Sequence, residues 1–169
     1  MPEPDYLFPR LDVLAYPTPV ETTAGRYGPN GEAVASLLND ALELDDACLW
    51  RIASAFDFDY ADRAMQLADK ERIRESITVA AASTSRGGFV RSAFAAGERA
   101  VLYAASPGLG SLDFWGNTAE SRATGPVGYA AAALVVADAL TPDDLDLALR
   151  AWRARDKPAE AEGAAQDRQ

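Results

Sequence analysis

The chain has 169 residues, 49% hydrophobic and 25% charged, with a net charge of −10. That length supports one domain with a core of its own, and the composition is that of a soluble globular protein. The absence of histidine excludes Ser-His-Asp and Cys-His catalysis and nearly every zinc or iron site built from His and Cys, while a single cysteine excludes an internal disulfide and iron–sulfur chemistry.

The first 29 residues read as an extended arm. Pro9, Pro17 and Pro19 prevent a continuous helix, yet Tyr6, Leu7, Phe8, Leu11, Val13, Leu14 and Tyr16 give the segment more apolar surface than a disordered tail carries. Such an arm packs across its own domain or onto a neighbouring subunit. The opening "MPEPDYLFPR" places acids and prolines where a signal peptide needs a basic end and an apolar stretch, so the expected location is the cytoplasm. "AGRYGPNG", 24–31, is a turn.

Helical periodicity follows. In "GEAVASLLNDALE", Val34, Leu37, Leu38 and Ala41 share one face. "LDDACLWRIASAFDF" restarts with acids in its first turn, where the helix dipole favours them, and sets Leu49, Ile52, Ala53 and Phe56 at helical spacing. Cys48, with no base beside it, reads as a small buried hydrophobe and not a reactive thiol. The stretch 59–85 contains neither Gly nor Pro. Its apolar positions drift from a stripe of Tyr60, Ala64 and Leu67 to one of Ile73, Ile77 and Ala80, which predicts a kink, a break or burial on two sides. "RGG", 86–88, is expected to end it by the glycine route. The next helix, 89–105, offers Val90, Phe94, Val101 and Leu102 to the core.

"SPGLGSLDFWGNTAESRATGP", 106–126, interrupts the helices. Its "GLG" lacks the preceding strand and the Gly-Lys-Ser/Thr of a phosphate cradle. "NTAE" spells a capping box, predicting one helical turn over 118–123. Leu112, Phe114 and Trp115 either fold back over the bundle end or form an exposed aromatic patch, with Asp113 and Arg122 as its polar rim. Pro126 then suits the first turn of a helix that is apolar almost all round and belongs at the centre of the core. At "LTPDDLDLALRAWRARD", Thr141 is an N-cap, Pro142 occupies the first helical position, and Leu145, Leu149 and Trp152 line one face. The polar end, 156–169, is expected to be disordered. The predicted fold is all-α: a single-domain helical bundle over 30–155 with an extended N-terminal arm. No apolar run reaches the ~20 residues that a membrane span requires.

Charge is unevenly placed. Across 30–62 Arg51 stands against Glu32, Asp40, Glu43, Asp45, Asp46, Asp57, Asp59 and Asp62, and the window is net −7. Across 63–99 the balance is net +3. Two solvated helix faces account for this pattern, and so do complementary faces suited to helix pairing or self-association. The total acid excess opposes nucleic-acid binding.

Two segments resemble small alanine-rich helical proteins of uncharacterised function found in actinobacteria and their phages. "AAAALVVADALTPDDLDLALRAWRA", 130–154, is similar to their C-terminal ending, and "LELDDACLWRIASAF", 42–56, to their opening helix. The Ala-Trp-Asp-Ala-type repeats of that family are absent from the middle of this chain. The resemblance implies a bacterial or phage-related helical bundle and carries no activity with it.

Taken together, these features predict a non-enzymatic protein–protein interaction module, an adaptor or an assembly subunit. It would need no cofactor and would bind another protein or itself through Tyr6, Phe8 and Tyr16 of the arm and Leu112, Phe114, Trp115 and Arg122 of the central segment. One alternative is a nucleic-acid-binding regulator using Arg72, Arg74, Arg86 and Arg91. A second is a Mg²⁺- or Ca²⁺-dependent enzyme built on Asp57, Asp59 and Asp62, although those acids also suit a helix start.

Overall fold

The computed structural model describes Phe8 and residues 20–56, 63–105 and 119–156; the side chains of 56, 63–66 and 119–122 lie outside the described set. Those residues form an all-α bundle: α1 (Gly31–Ala41), α2 (Asp46–Phe56), α3 (Arg63–Thr84), α4 (Gly87–Ala104), α5 (Ala119–Val135) and α6 (Pro142–Arg153). Short 3₁₀ segments precede α1 (Ala24–Asn30) and follow α5 (Ala137–Ala139) and α6 (Ala154–Asp156). No strand occurs among the described residues.

Helices α4 and α5 run antiparallel and form the spine of the bundle. They approach so closely that a Cβ added at Gly97 would lie 2.9 Å from both the Gly128 Cα and the Val127 carbonyl oxygen. One added at Gly128 would lie 2.9 Å from the Phe94 ring. Alanines line the same contact: Ala93, Ala96 and Ala100 on one side, Ala123 and Ala130–Ala133 on the other, all buried. As its apolar sequence predicts, α5 is the central helix, contacted by α1, α2, α3, α4 and α6. It begins at Ala119, however, and Pro126 lies inside it rather than in its first turn. Proline there costs about 3 kcal/mol through the missing N–H and the ring clash. Complete burial of Ala123 and Val127 on either side offsets that cost.

The remaining helices are laid on by their apolar stripes. Val34, Leu37, Leu38 and Ala41 of α1, and Leu49, Ile52 and Ala53 of α2, are all buried. At the start of α2, Asp45 Oδ1 accepts the Cys48 backbone N–H at 2.8 Å. At the start of α6, Thr141 Oγ1 accepts the Asp144 N–H at 3.1 Å, with Pro142 next to it and Leu149 and Trp152 buried. Where α1, α2 and α6 converge, Arg155 lies 3.8 Å over the Trp152 ring and 3.6 Å from Asp40, while Arg51 donates to the Arg155 carbonyl at 2.8 Å.

Helix α3 ends differently from the sequence expectation. The left-handed residue is Ser85 (φ 57°), not glycine. The Arg86 N–H bonds the Ala81 carbonyl at 3.0 Å and the Ser85 N–H bonds that of Ala82, the paired closure of a Schellman motif. Gly87 and Gly88 open α4 instead.

Three substitutions separate these effects, all read by urea unfolding. Gly97→Ala has only backbone to push against and is expected to destabilise the protein by roughly 2–3 kcal/mol. Gly88→Ala meets nothing within 4 Å and is expected to stabilise by up to ~1 kcal/mol. Ser85→Gly removes the left-handed strain and is expected to stabilise by about 1 kcal/mol.

Candidate interaction surfaces

The arm is anchored at Phe8. Its ring is buried, in an edge-on contact with Phe94 at 5.2 Å and 5.3 Å from Tyr129; Phe94 and Tyr129 are themselves 5.1 Å apart. The Arg74 guanidinium stands 5.7 Å over the Phe8 ring, within cation–π range. Helices α3, α4 and α5 thus each contribute one side chain to this aromatic seat, and Phe8 serves the chain's own core. Tyr6, Tyr16, Leu112, Phe114, Trp115 and the side chain of Arg122 lie outside the described residues, as do Asp57, Asp59 and Asp62.

The four arginines proposed for nucleic acid do not form one open cationic face. Arg72 Nε on α3 is 2.8 Å from Asp144 on α6. Arg86 makes a two-pronged pair with Asp138, at 2.6 and 3.1 Å, and also donates to the Val135 carbonyl at 3.1 Å. Arg74 lies over Phe8, and Arg91 is half-buried on α4. Exposed Glu71 and Glu75 are interleaved with the α3 arginines.

Asp138 is the hub of a polar knot at one end of the bundle. Asn30 Nδ2 donates to it at 2.7 Å and to the Val135 carbonyl at 3.1 Å. The Arg86 hydrogen bond, and then that of Asn30, hold the Asp138 carboxyl down to about 2. Beside the knot is an open depression of about 550 Å³, lined by Ala24, Gly28, Asn30, Gly31, Leu134 and Ala137 among others. Small residues and backbone dominate it, and the Asn30 amide is already engaged. It therefore lacks the convergent polar groups that orient a small molecule.

Cys48 is half-buried, and burial followed by its hydrogen bond with Asp45 pushes its thiol up, away from the thiolate. Among the described residues no three His, Cys, Asp or Glu side chains are grouped to hold a metal ion. No described helix is long and apolar enough to cross a membrane.

Periodicity did not single out one group. Glu98 on α4 is only 7% exposed, and burial pushes its carboxyl up to about 8, opposed by the neighbouring Arg99. Glu98 Oε1 and Arg99 Nε are buried with no hydrogen-bond partner among the described residues. The usable signal was helical phase: Glu98 is four residues after Phe94 and four before Leu102, inside the buried stripe.

Helix α3 leaves the largest apolar side chains outside. It rests on α4, α5 and α6 through Ile73, Ile77, Ala80 and Ala81 alone. Leu67 is 53% exposed and Val79 62%. The drifting pattern of the sequence corresponds to one continuous helix buried along one stripe, with Leu67 left in solvent. Leu67 and Val79 are about 18 Å apart along the axis, with Glu71 and Glu75 exposed between them. Trp50 on α2 is 48% exposed. Phe89, at 38%, lays its ring against Gly28.

No family model, no curated protein and no solved structure matches this chain.

The buried Glu98 carboxyl makes stability depend on pH with a defined sign. Its folded-state value lies above the ordinary value of 4.5, so the folded protein retains a proton that the unfolded chain releases. Stability is complete below pH 4.5 and is lost as pH rises towards 8. Urea unfolding of the wild type is expected to weaken by a few kcal/mol, roughly, over that interval, and that of Glu98→Gln to stay nearly level. Parallel profiles would contradict this assignment.

Proposed function

We propose that this protein is a non-enzymatic protein-interaction module whose docking face is the outer surface of α3. The observation that carries the proposal is the pairing of two exposed apolar residues, Leu67 and Val79, on a helix whose inner stripe alone is buried. The acids Glu71 and Glu75 between them define the chemistry of the partner. It is an amphipathic helix with two apolar residues about three turns apart and Lys or Arg between them, laid along α3. Apolar anchors supply the affinity in such a contact, and charge complementarity sets register and encounter rate.

Support also comes from the chemistry the chain lacks. It has no histidine, its described acids form no metal cluster, and its cysteine is held away from the thiolate. Arg72 and Arg86 are matched by carboxylates within the bundle, which leaves less cationic surface for a phosphate backbone.

Site-specific photocrosslinking in native cell extract tests the assignment. A photoreactive residue at Val79 or Leu67 is expected to capture one protein in a discrete adduct, and a control at exposed Ser92 on α4 to capture none. Leu67→Glu should abolish the Val79 adduct while circular dichroism and melting temperature stay unchanged. Absence of any adduct at both α3 positions, or an adduct indifferent to Leu67→Glu, would overturn the docking role of α3.

A further inference from the structure

The geometry points to arm exchange: the aromatic seat formed by Phe94, Tyr129 and Arg74 is an interaction site that accepts Phe8 either from its own chain or from a second copy. This inference names a partner, a second copy of the chain, and rests on a different surface from α3.

The seat is complete without any other part of the arm. Two rings and a guanidinium, from three separate helices, surround a Phe8 ring that is only 5% exposed. Every one of these contacts would be identical if the ring arrived from a neighbour, so exchange loses no seat energy and gains none. What separates the two arrangements is the connection. Residues 9–19 join Phe8 to Val20, which rests on the core. Fully extended, that connection spans at most about 40 Å. The bundle's longest helix, α3, is about 33 Å long, so the arm has the reach to seat Phe8 on an adjacent molecule.

Three prolines in the connection, at 9, 17 and 19, stiffen it. Stiffness lowers the effective concentration of Phe8 at its own seat relative to a flexible tether, which reaches the millimolar range at best. Exchange therefore becomes competitive when a second copy is present at comparable local concentration, as in an assembly. The charge of −10 on each copy opposes the approach. Salt screens that repulsion, so exchange strengthens with ionic strength, opposite to the behaviour of a salt-bridged dimer.

The direct test uses two full-length chains and one peptide. In Phe8→Ala the seat is vacated. A fluorescent peptide of residues 1–19 is expected to bind this variant at least tenfold more tightly than the wild type, whose own Phe8 competes. The same peptide carrying Phe8→Ala should bind neither. Equal binding to both chains, or none to either, would overturn the inference.

Because Phe8→Ala could lose stability, a second measurement uses the wild type alone. Sedimentation from 10 µM to about 1 mM, in 0.05 and 0.5 M NaCl, is expected to show a dimer that grows with concentration and with salt, the range being set by the effective concentration of a tether. A monomer throughout would count against exchange, as would a dimer strongest at low salt. Loss of exchange with the Val79 photoadduct intact would leave the α3 reading standing. Loss of the adduct with exchange intact would remove α3 and keep the seat.

Discussion

The fold depends on two backbones touching. Where Gly97 of α4 meets Gly128 of α5, no side chain separates the helices, and the flanking alanines keep them close along their length. The short distance has two consequences. It excludes water from a contact made of small side chains, whose dispersion energy depends on close approach. It also makes α4 and α5 a rigid pair, on which α1, α2 and α6 can lay amphipathic stripes. Pro126 survives inside α5 for the same reason, since burial on both sides of it outweighs a missing hydrogen bond.

Polar groups then settle how the helices end. The N-termini of α1 and α4 and the C-terminus of α5 meet at Asp138, Asn30, Arg86 and the Val135 carbonyl. A carboxylate beside two helix N-termini and a guanidinium at a helix C-terminus are each placed with the backbone dipoles. At the other convergence, Arg155, Trp152, Arg51 and Asp40 tie α6 to α2 and α1. Arginine in this protein joins helices, and the carboxylates that receive it come largely from the same bundle. That economy is why a chain with fourteen arginines among its sixteen bases presents so little open cationic surface.

Two features stand outside this arrangement. Helix α3 has one stripe in the core and Leu67 and Val79 in solvent, while Phe8 reaches the core from a segment tethered only through 9–19. Both are places where apolar surface lies at the edge of an already complete bundle. The proposed roles, a docking face and an exchangeable anchor, follow from that shared position. The interior holds a contrasting element in Glu98, a buried carboxyl that stays protonated at neutral pH because no partner offsets its desolvation.

The sequence by itself determined the helices and most of the core. Thr141-Pro142, Asp45-Asp46 and the stripes of α1, α2, α4 and α6 are local signals, carried by capping and periodicity within a few residues of one another. It also excluded histidine chemistry outright, since composition does not depend on folding. Only the tertiary structure decided that Ser85 rather than Gly87 would take the left-handed position, that α5 would run through Pro126, and that Leu67 would face solvent. Each of those outcomes balances a local preference against burial by a helix distant in sequence. The seat of Phe8 and the pairings of Arg72 and Arg86 have the same origin. They join residues 49 to 121 positions apart, and no pattern within either partner's own segment records the other.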